Sequence, residues 1–133
     1  RLMLKVGREF GMRAIRIPRE PYGGTRTIEP WVALMRSRAR RQGVASNDFV
    51  YGVNDVGAMN ESRVLRMLAG LPDGVTELFF HPATGPFAGA DAGTGRFQWA
   101  EELAALTSPA VRDALARNRI ENVTYGELTN VSP

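Results

Sequence analysis

The 133-residue chain has one histidine, His81. It closes the apolar run Val75-Thr76-Glu77-Leu78-Phe79-Phe80 and is followed at once by Pro82. An imidazole changes charge near neutral pH, so it can give or take a proton in a reaction. If the run is a strand, side chains alternate. Glu77, Phe79 and His81 then share one face, and Leu78 and Phe80 the other. A carboxylate inside a buried strand is costly unless paired. Arg16, at the end of an earlier β-branched run, is the expected partner of Glu77. A histidine at a strand end also serves simply by bonding to backbone, and the residues alone leave that reading open. Arg19 reads as a surface ion-pairing group and Asp55 as a turn residue.

Other chemistries are excluded by pattern. There is no cysteine, hence no disulfide and no thiolate metal site. No G-x-x-x-x-G-K-[ST] occurs, and Gly85, Gly89, Gly93 and Gly95 do not form G-x-G-x-x-G between a strand and a helix. No G-x-S-x-G nucleophile motif is present. The position two residues from His81 is Phe79, which cannot ligate a metal, and Glu77 is four residues away on an extended segment. These spacings give no metal site within the chain.

The positioning elements follow from periodicity. Leu2, Met3, Val6 and Phe10 recur at helical spacing, ended by Gly11. Residues 13–17 alternate and read as a strand that Pro18 ends. The Pro- and Gly-rich stretch 19–25 is a loop. A helix is expected from Glu29 to Gln42, with Pro30 in its first turn. Trp31, Leu34 and Met35 would lie on one side, and Arg36 to Arg41 would form a solvated face. Residues 49–53 read as a strand, followed by a loop at 54–57. Asn60 is an N-cap candidate for a helix over 61–71. Residues 75–81 read as a strand and 82–97 as a long loop. Helices are expected at 99–106 and, capped by Ser108, at 109–116. A final strand is expected at 123–125.

Alternating helices and strands with short connections predict parallel βα units in one α/β domain spanning residues 1–133. In such a sheet, ligands gather at the C-terminal ends of the strands. Four units make an open sheet or half of a (β/α) barrel. A start at Arg1, already within a periodic segment, reads as a cut through a larger protein. Such a piece exposes apolar surface and sheet edges, so a homo-oligomer is expected.

Composition is that of an ordinary globular protein, 44% hydrophobic and 23% charged. No stretch has the basic, apolar and small-residue layout of a signal peptide, and no apolar run is long enough for a membrane span. Lack of cysteine makes the cytoplasm the expected compartment. Net charge is +3, and of 17 basic residues only Lys5 is a lysine. The arginine run lacks interleaved aromatics, so no nucleic-acid partner is expected.

Three segments carry a resemblance: Arg8-Glu9-Phe10-Gly11-Met12-Arg13-Ala14-Ile15-Arg16-Ile17-Pro18-Arg19-Glu20-Pro21, Thr76-Glu77-Leu78-Phe79-Phe80-His81-Pro82-Ala83-Thr84, and Glu102-Leu103 through Ser108-Pro109-Ala110-Val111-Arg112 to Ala114-Leu115. In this order the chain resembles the C-terminal half of the YdjC-like carbohydrate deacetylases, in particular the hopanoid-biosynthesis-associated branch. The resemblance implies half of a (β/α) barrel-like deacetylase fold. It implies metal-assisted hydrolysis of an N-acetyl group on an amino sugar or glycolipid. The divalent metal, Mg or Zn, is expected on an Asp-His-His set of the full-length parent and not on this stretch alone. His81, Arg16 and Glu77 are implied as catalytic: His81 for proton transfer to the leaving amine or for stabilising the tetrahedral intermediate, Arg16 for orienting a carboxylate, and Glu77 for holding His81 or Arg16. Arg19, Glu20, Pro82 and Thr84 are implied at the substrate, with loop 82–97 bordering the sugar. The alternative is a non-catalytic sugar- or anion-binding α/β module using Arg16, Arg19 and the long loop.

Overall fold

A computed structural model describes residues 2–21, 28–85 and 95–129. The predicted loop residues 22–25 and residues 86–94 of the predicted loop 82–97 lie outside them. The chain divides into two compact units. One comprises Arg1–Val50, Gly74–Glu77 and Val123–Pro133, and the other Tyr51–Asp73 and Leu78–Asn122.

The first unit holds helix α1 (Leu2–Glu9), strand β1 (Ala14–Ile15), helix α2 (Glu29–Arg41) and strand β2 (Ala45–Ser46). β1 and β2 are parallel, with Ala14 opposite Ala45 and Ile15 opposite Ser46. Strand β2 was not expected from the sequence. It is short because the chain leaves the ladder at Asn47-Asp48, and a side chain bridges the gap. The buried Asn47 accepts from the Ile17 N–H at 2.7 Å and donates to the carbonyls of Ile17 (3.0 Å) and Phe49 (2.8 Å). Backbone pairing resumes where the Val50 N–H donates to the Arg19 carbonyl at 2.8 Å. One carboxamide thus supplies the donor and acceptor that a continuous strand would have supplied.

Leu4, Ala39 and Val44 form the core of this unit, with Met12 and Ile15 against it. The inward residues of α2 are Val32 and Ala39. Trp31, placed by periodicity on an apolar side, is 65% exposed, and Leu34 is also exposed. In α1 only Leu4 is buried, while Leu2, Met3 and Val6, and Phe10 just after the helix, face outward. Arg36 departs from the solvated face expected for it. It is half-buried and donates to the Asp48 carbonyl at 2.5 Å, with Asp48 Oδ1 3.0 Å away.

Strands β3 (Phe49–Tyr51) and β4 (Thr76–Leu78) pair as a second two-stranded sheet, and the division between units falls within both. β3 ends two residues earlier than the pattern suggests because of Gly52. Its φ is +103°, and a Cβ there would sit 2.3 Å from the Phe79 carbonyl oxygen. Only glycine fits that backbone and that approach.

The second unit is mainly helical: α3 (Glu61–Leu68), α4 (Trp99–Thr107) and α5 (Pro109–Arg117). Its core is Tyr51, Met59, Val64, Leu68, Ala105 and Ala114, with Leu78 and Phe80 packed against it. The caps are those read from the sequence. Asn60 Oδ1 accepts from the Arg63 N–H at 3.2 Å, and Ser108 Oγ accepts from the Val111 N–H at 3.3 Å. Asp55 pairs with Arg63, tying the loop before α3 to that helix.

The strand expected at 123–125 does not form. Thr124 and Glu127 make a capping box instead. Glu127 Oε2 accepts from the Thr124 N–H (2.6 Å) and hydroxyl (2.8 Å), and a 3-10 turn follows over Glu127–Thr129. These two bonds hold the Glu127 carboxyl below the usual carboxylate range. The fold is therefore mixed α/β with short parallel strands in two small sheets. Among the described residues, no helix is long and apolar enough to cross a membrane.

Candidate functional site

Two clusters contain the residues implied as catalytic, Arg16 and Glu77 in the first unit and His81 in the second. The first joins Arg16, Glu77 and Tyr125. Arg16 follows β1 and Glu77 sits within β4. Arg16 Nε donates to Glu77 Oε2 at 2.8 Å, and Arg16 Nη2 pairs with Oε1. This is the expected pairing, in two-pronged form, which suits a planar guanidinium to a carboxylate. The Tyr125 hydroxyl also donates to Glu77 Oε2. The Glu77 side chain is 14% exposed and that of Arg16 47%.

Tyr125 was not foreseen, since residues 123–125 read as a strand. The Thr124-x-x-Glu127 capping box could have shown that the chain turns there and aims Tyr125 sideways. Burial pushes its phenol up to about 12, and the hydrogen bond to Glu77 adds to this. The bonds to Glu77 raise Arg16 further above its ordinary value, against a smaller opposing effect of burial. In this cluster Arg16 stays a cation and Tyr125 keeps its proton at any physiological pH.

Arg19 is engaged too. Its Nε is 3.0 Å from Glu29 Oε1, and its guanidinium lies 4.8 Å from the centre of the Phe49 ring. Glu20 is buried, whereas Pro82 and Thr84 are exposed.

The second cluster surrounds His81. Its ring lies 4.6 Å from that of Phe79, edge-on, and 4.9 Å from that of Phe97, which in turn is 5.0 Å from Trp99. With Leu78 and Phe80 on the core side, this is the alternation expected of the strand. The ladder itself ends sooner than residue 81. The Phe79 N–H donates to the Tyr51 carbonyl at 2.9 Å, but the His81 N–H goes to Glu102 Oε2 of α4. The other carboxylate oxygen of Glu102 accepts from the Met59 N–H at 3.1 Å, and the residue is 0% exposed. Gly57 completes the setting. A Cβ on it would lie 2.2 Å from the Phe97 ring, so a side chain there would displace that ring.

The match to a family model decides the classification: the model for YdjC-like protein covers residues 1–117. The chain belongs to the YdjC-like family. Searches of curated proteins and of solved structures returned no match. Membership supports a general carbohydrate-processing function for this YdjC-like chain. Its described residues do not fit a metal centre: none of their His, Asp and Glu side chains form a group of three or more that could hold an ion. A surface depression lined by Leu2, Lys5, Arg8, Glu9 and Gln42 includes none of the candidate residues of either cluster.

Proposed function

We propose that the chain contributes the proton donor and its supporting groups to an enzyme that hydrolyses the N-acetyl group of an amino sugar. The placement of His81 carries this reading. The single imidazole of the chain stands just beyond the end of β4, with its backbone tied to a buried carboxylate and its ring beside two aromatic rings. Amide hydrolysis adds water to the carbonyl carbon and then breaks the C–N bond of the tetrahedral intermediate. The amine is a poor leaving group until its nitrogen takes a proton. His81 supplies that proton, leaving acetate and the free amino sugar.

Glu77 does not serve as the base in this scheme. Three donors occupy its oxygens: two from Arg16 and one from Tyr125. Its role is to hold Arg16, whose cation then orients a second carboxylate. The described residues offer no metal centre, and no step here runs through one. The substrate class is an N-acetylated amino sugar, free or carried on a glycolipid. Acetate release from N-acetylglucosamine oligomers by the full-length protein tests the reading. Absence of release from every N-acetylated sugar, with O-acetyl sugars hydrolysed instead, would refute it.

One observation favours a second reading, a sugar-binding module without chemistry. The neighbouring rings of Phe97 and Trp99 offer the kind of apolar surface on which the C–H face of a sugar ring rests. That module keeps its affinity when His81 becomes alanine and loses it with Trp99→Ala. Anion holding by Arg16 and Arg19 has less support, because each guanidinium already has a carboxylate partner.

A further inference from the structure

Glu102 is a fully buried carboxylate to which the scheme above gives no task. It lies in the first turn of α4, where the helix dipole favours a negative charge. Burying a carboxylate is expensive unless its oxygens are bonded, and here both are, to main-chain N–H groups of two separate segments. Oε1 accepts from Met59 at 3.1 Å and Oε2 from His81. Neighbouring bonds reinforce the same two junctions. The Gln98 N–H donates to the Gly57 carbonyl at 2.7 Å, and Asn60 Nδ2 donates to Gln98 Oε1 at 2.8 Å. On the other side, the Ala83 N–H donates to the Trp99 carbonyl at 3.2 Å. The start of α4 is thus fastened to residues 57–60 and to residues 81–83. At His81 the strand ladder has already stopped, so the carboxylate takes the place of a strand partner.

We propose that Glu102 is the positioning residue for His81, fixing the backbone from which the imidazole projects between Phe79 and Phe97. The catalytic consequence rests on His81 being the proton donor; the structural one does not. Two features separate this role from ordinary core filling. Core filling needs volume, which an apolar side chain or glutamine supplies equally well. Holding two N–H donors at once needs two acceptors, which only a carboxylate provides at this length. Glutamine keeps the shape but turns its NH2 toward one of the donors.

The test uses the fact that the chain has one histidine, so the imidazole C–H signals in a proton NMR spectrum need no assignment. Glu102→Gln is expected to move or broaden these signals, as the ring leaves its place beside Phe79 and Phe97. In the full-length protein it is expected to lower kcat about ten- to a hundredfold with KM within about twofold, the cost of a small misplacement of a reacting group. Val64→Ala, a core truncation in the same unit, serves as the control; it is expected to lower thermal stability and leave the imidazole signals in place. If Glu102→Gln does not fold, Glu102→Asp is used. It keeps the charge, loses reach to one donor, and carries the same prediction. Unchanged imidazole signals in the Glu102 variant, or signals moved equally by Val64→Ala, would overturn the proposal. An inactive His81→Ala with unmoved signals in Glu102→Gln sinks the positioning role alone. A fully active His81→Ala with moved signals sinks the proton-donor reading alone.

Discussion

Glu77 and Glu102 are two shielded carboxylates that the two units stabilise by different means. Glu77 is met by a guanidinium and a phenol, side chains brought from the end of β1 and from the turn at Thr124. Glu102 is met by two main-chain N–H groups. The first arrangement cancels charge, and it stays near solvent, with Arg16 about half exposed. The second leaves a charge in the interior and meets it with oriented dipoles. A paired charge tolerates exposure and tunes its neighbours, whereas dipoles act only if the backbone carrying them is held still. The Glu77 cluster is therefore suited to electrostatics and the Glu102 cluster to position.

Substitutions sharpen this contrast. The largest effect is expected from Glu102→Ala, which orphans the buried Met59 N–H at about 1–3 kcal/mol, strips the partly buried His81 N–H of its partner and leaves a cavity besides. Urea titration of the second unit's helices should show it as a large drop in midpoint. Arg16→Met should cost less, about 1 kcal/mol, because the pair is partly exposed and Tyr125 still donates to Glu77. That difference should shrink in 1 M salt, where the Debye length is about 3 Å, while the effect of Glu102→Ala should not. A Glu102→Ala effect that faded equally with salt would erase the distinction.

The smallest effect is expected from Tyr125→Phe, about 0.5 kcal/mol, the low end for one hydrogen bond because the group is only partly shielded. It carries a pH signature. Tyr125 holds its proton up to about 12 in the fold, against 10.0 for a free phenol. Its stabilising effect is whole below pH 10, where both states are protonated. It is lost as pH rises from 10 toward 12, because the unfolded chain releases the proton first. Wild type should lose stability over that window faster than Tyr125→Phe, read from urea midpoints at each pH. Parallel curves for the two proteins would show that the phenol is not shielded.

Much of this was legible in the sequence for a local reason. Proline at helix starts, Asn60 and Ser108 as caps, and 3.6-residue spacing are encoded within a few residues, and the helices lie where these signals put them. The Arg16–Glu77 pair was legible because a carboxylate in a strand demands a cation. What escaped depends on distant partners. The Asn47 bridge splits one strand into β2 and β3, and nothing near Asn47 announces that its partner is Ile17. Glu102 looks like one of two interchangeable acidic residues beside Glu101, and only the fold buries one and exposes the other. The outward faces of α1 and α2 escaped because periodicity marks which residues share a side, not which side the core occupies. Tyr125 alone was missed despite a local signal, its capping box.

If His81 delivers the proton to the departing amine, its removal slows the chemical step and spares binding. The most direct measurement is single-turnover acetate release from an N-acetylglucosamine oligomer by the full-length protein, comparing wild type with His81→Ala at equal substrate occupancy. The expected loss in His81→Ala is about 10²–10⁴-fold in the chemical step, with little change in binding. An unchanged rate would contradict it.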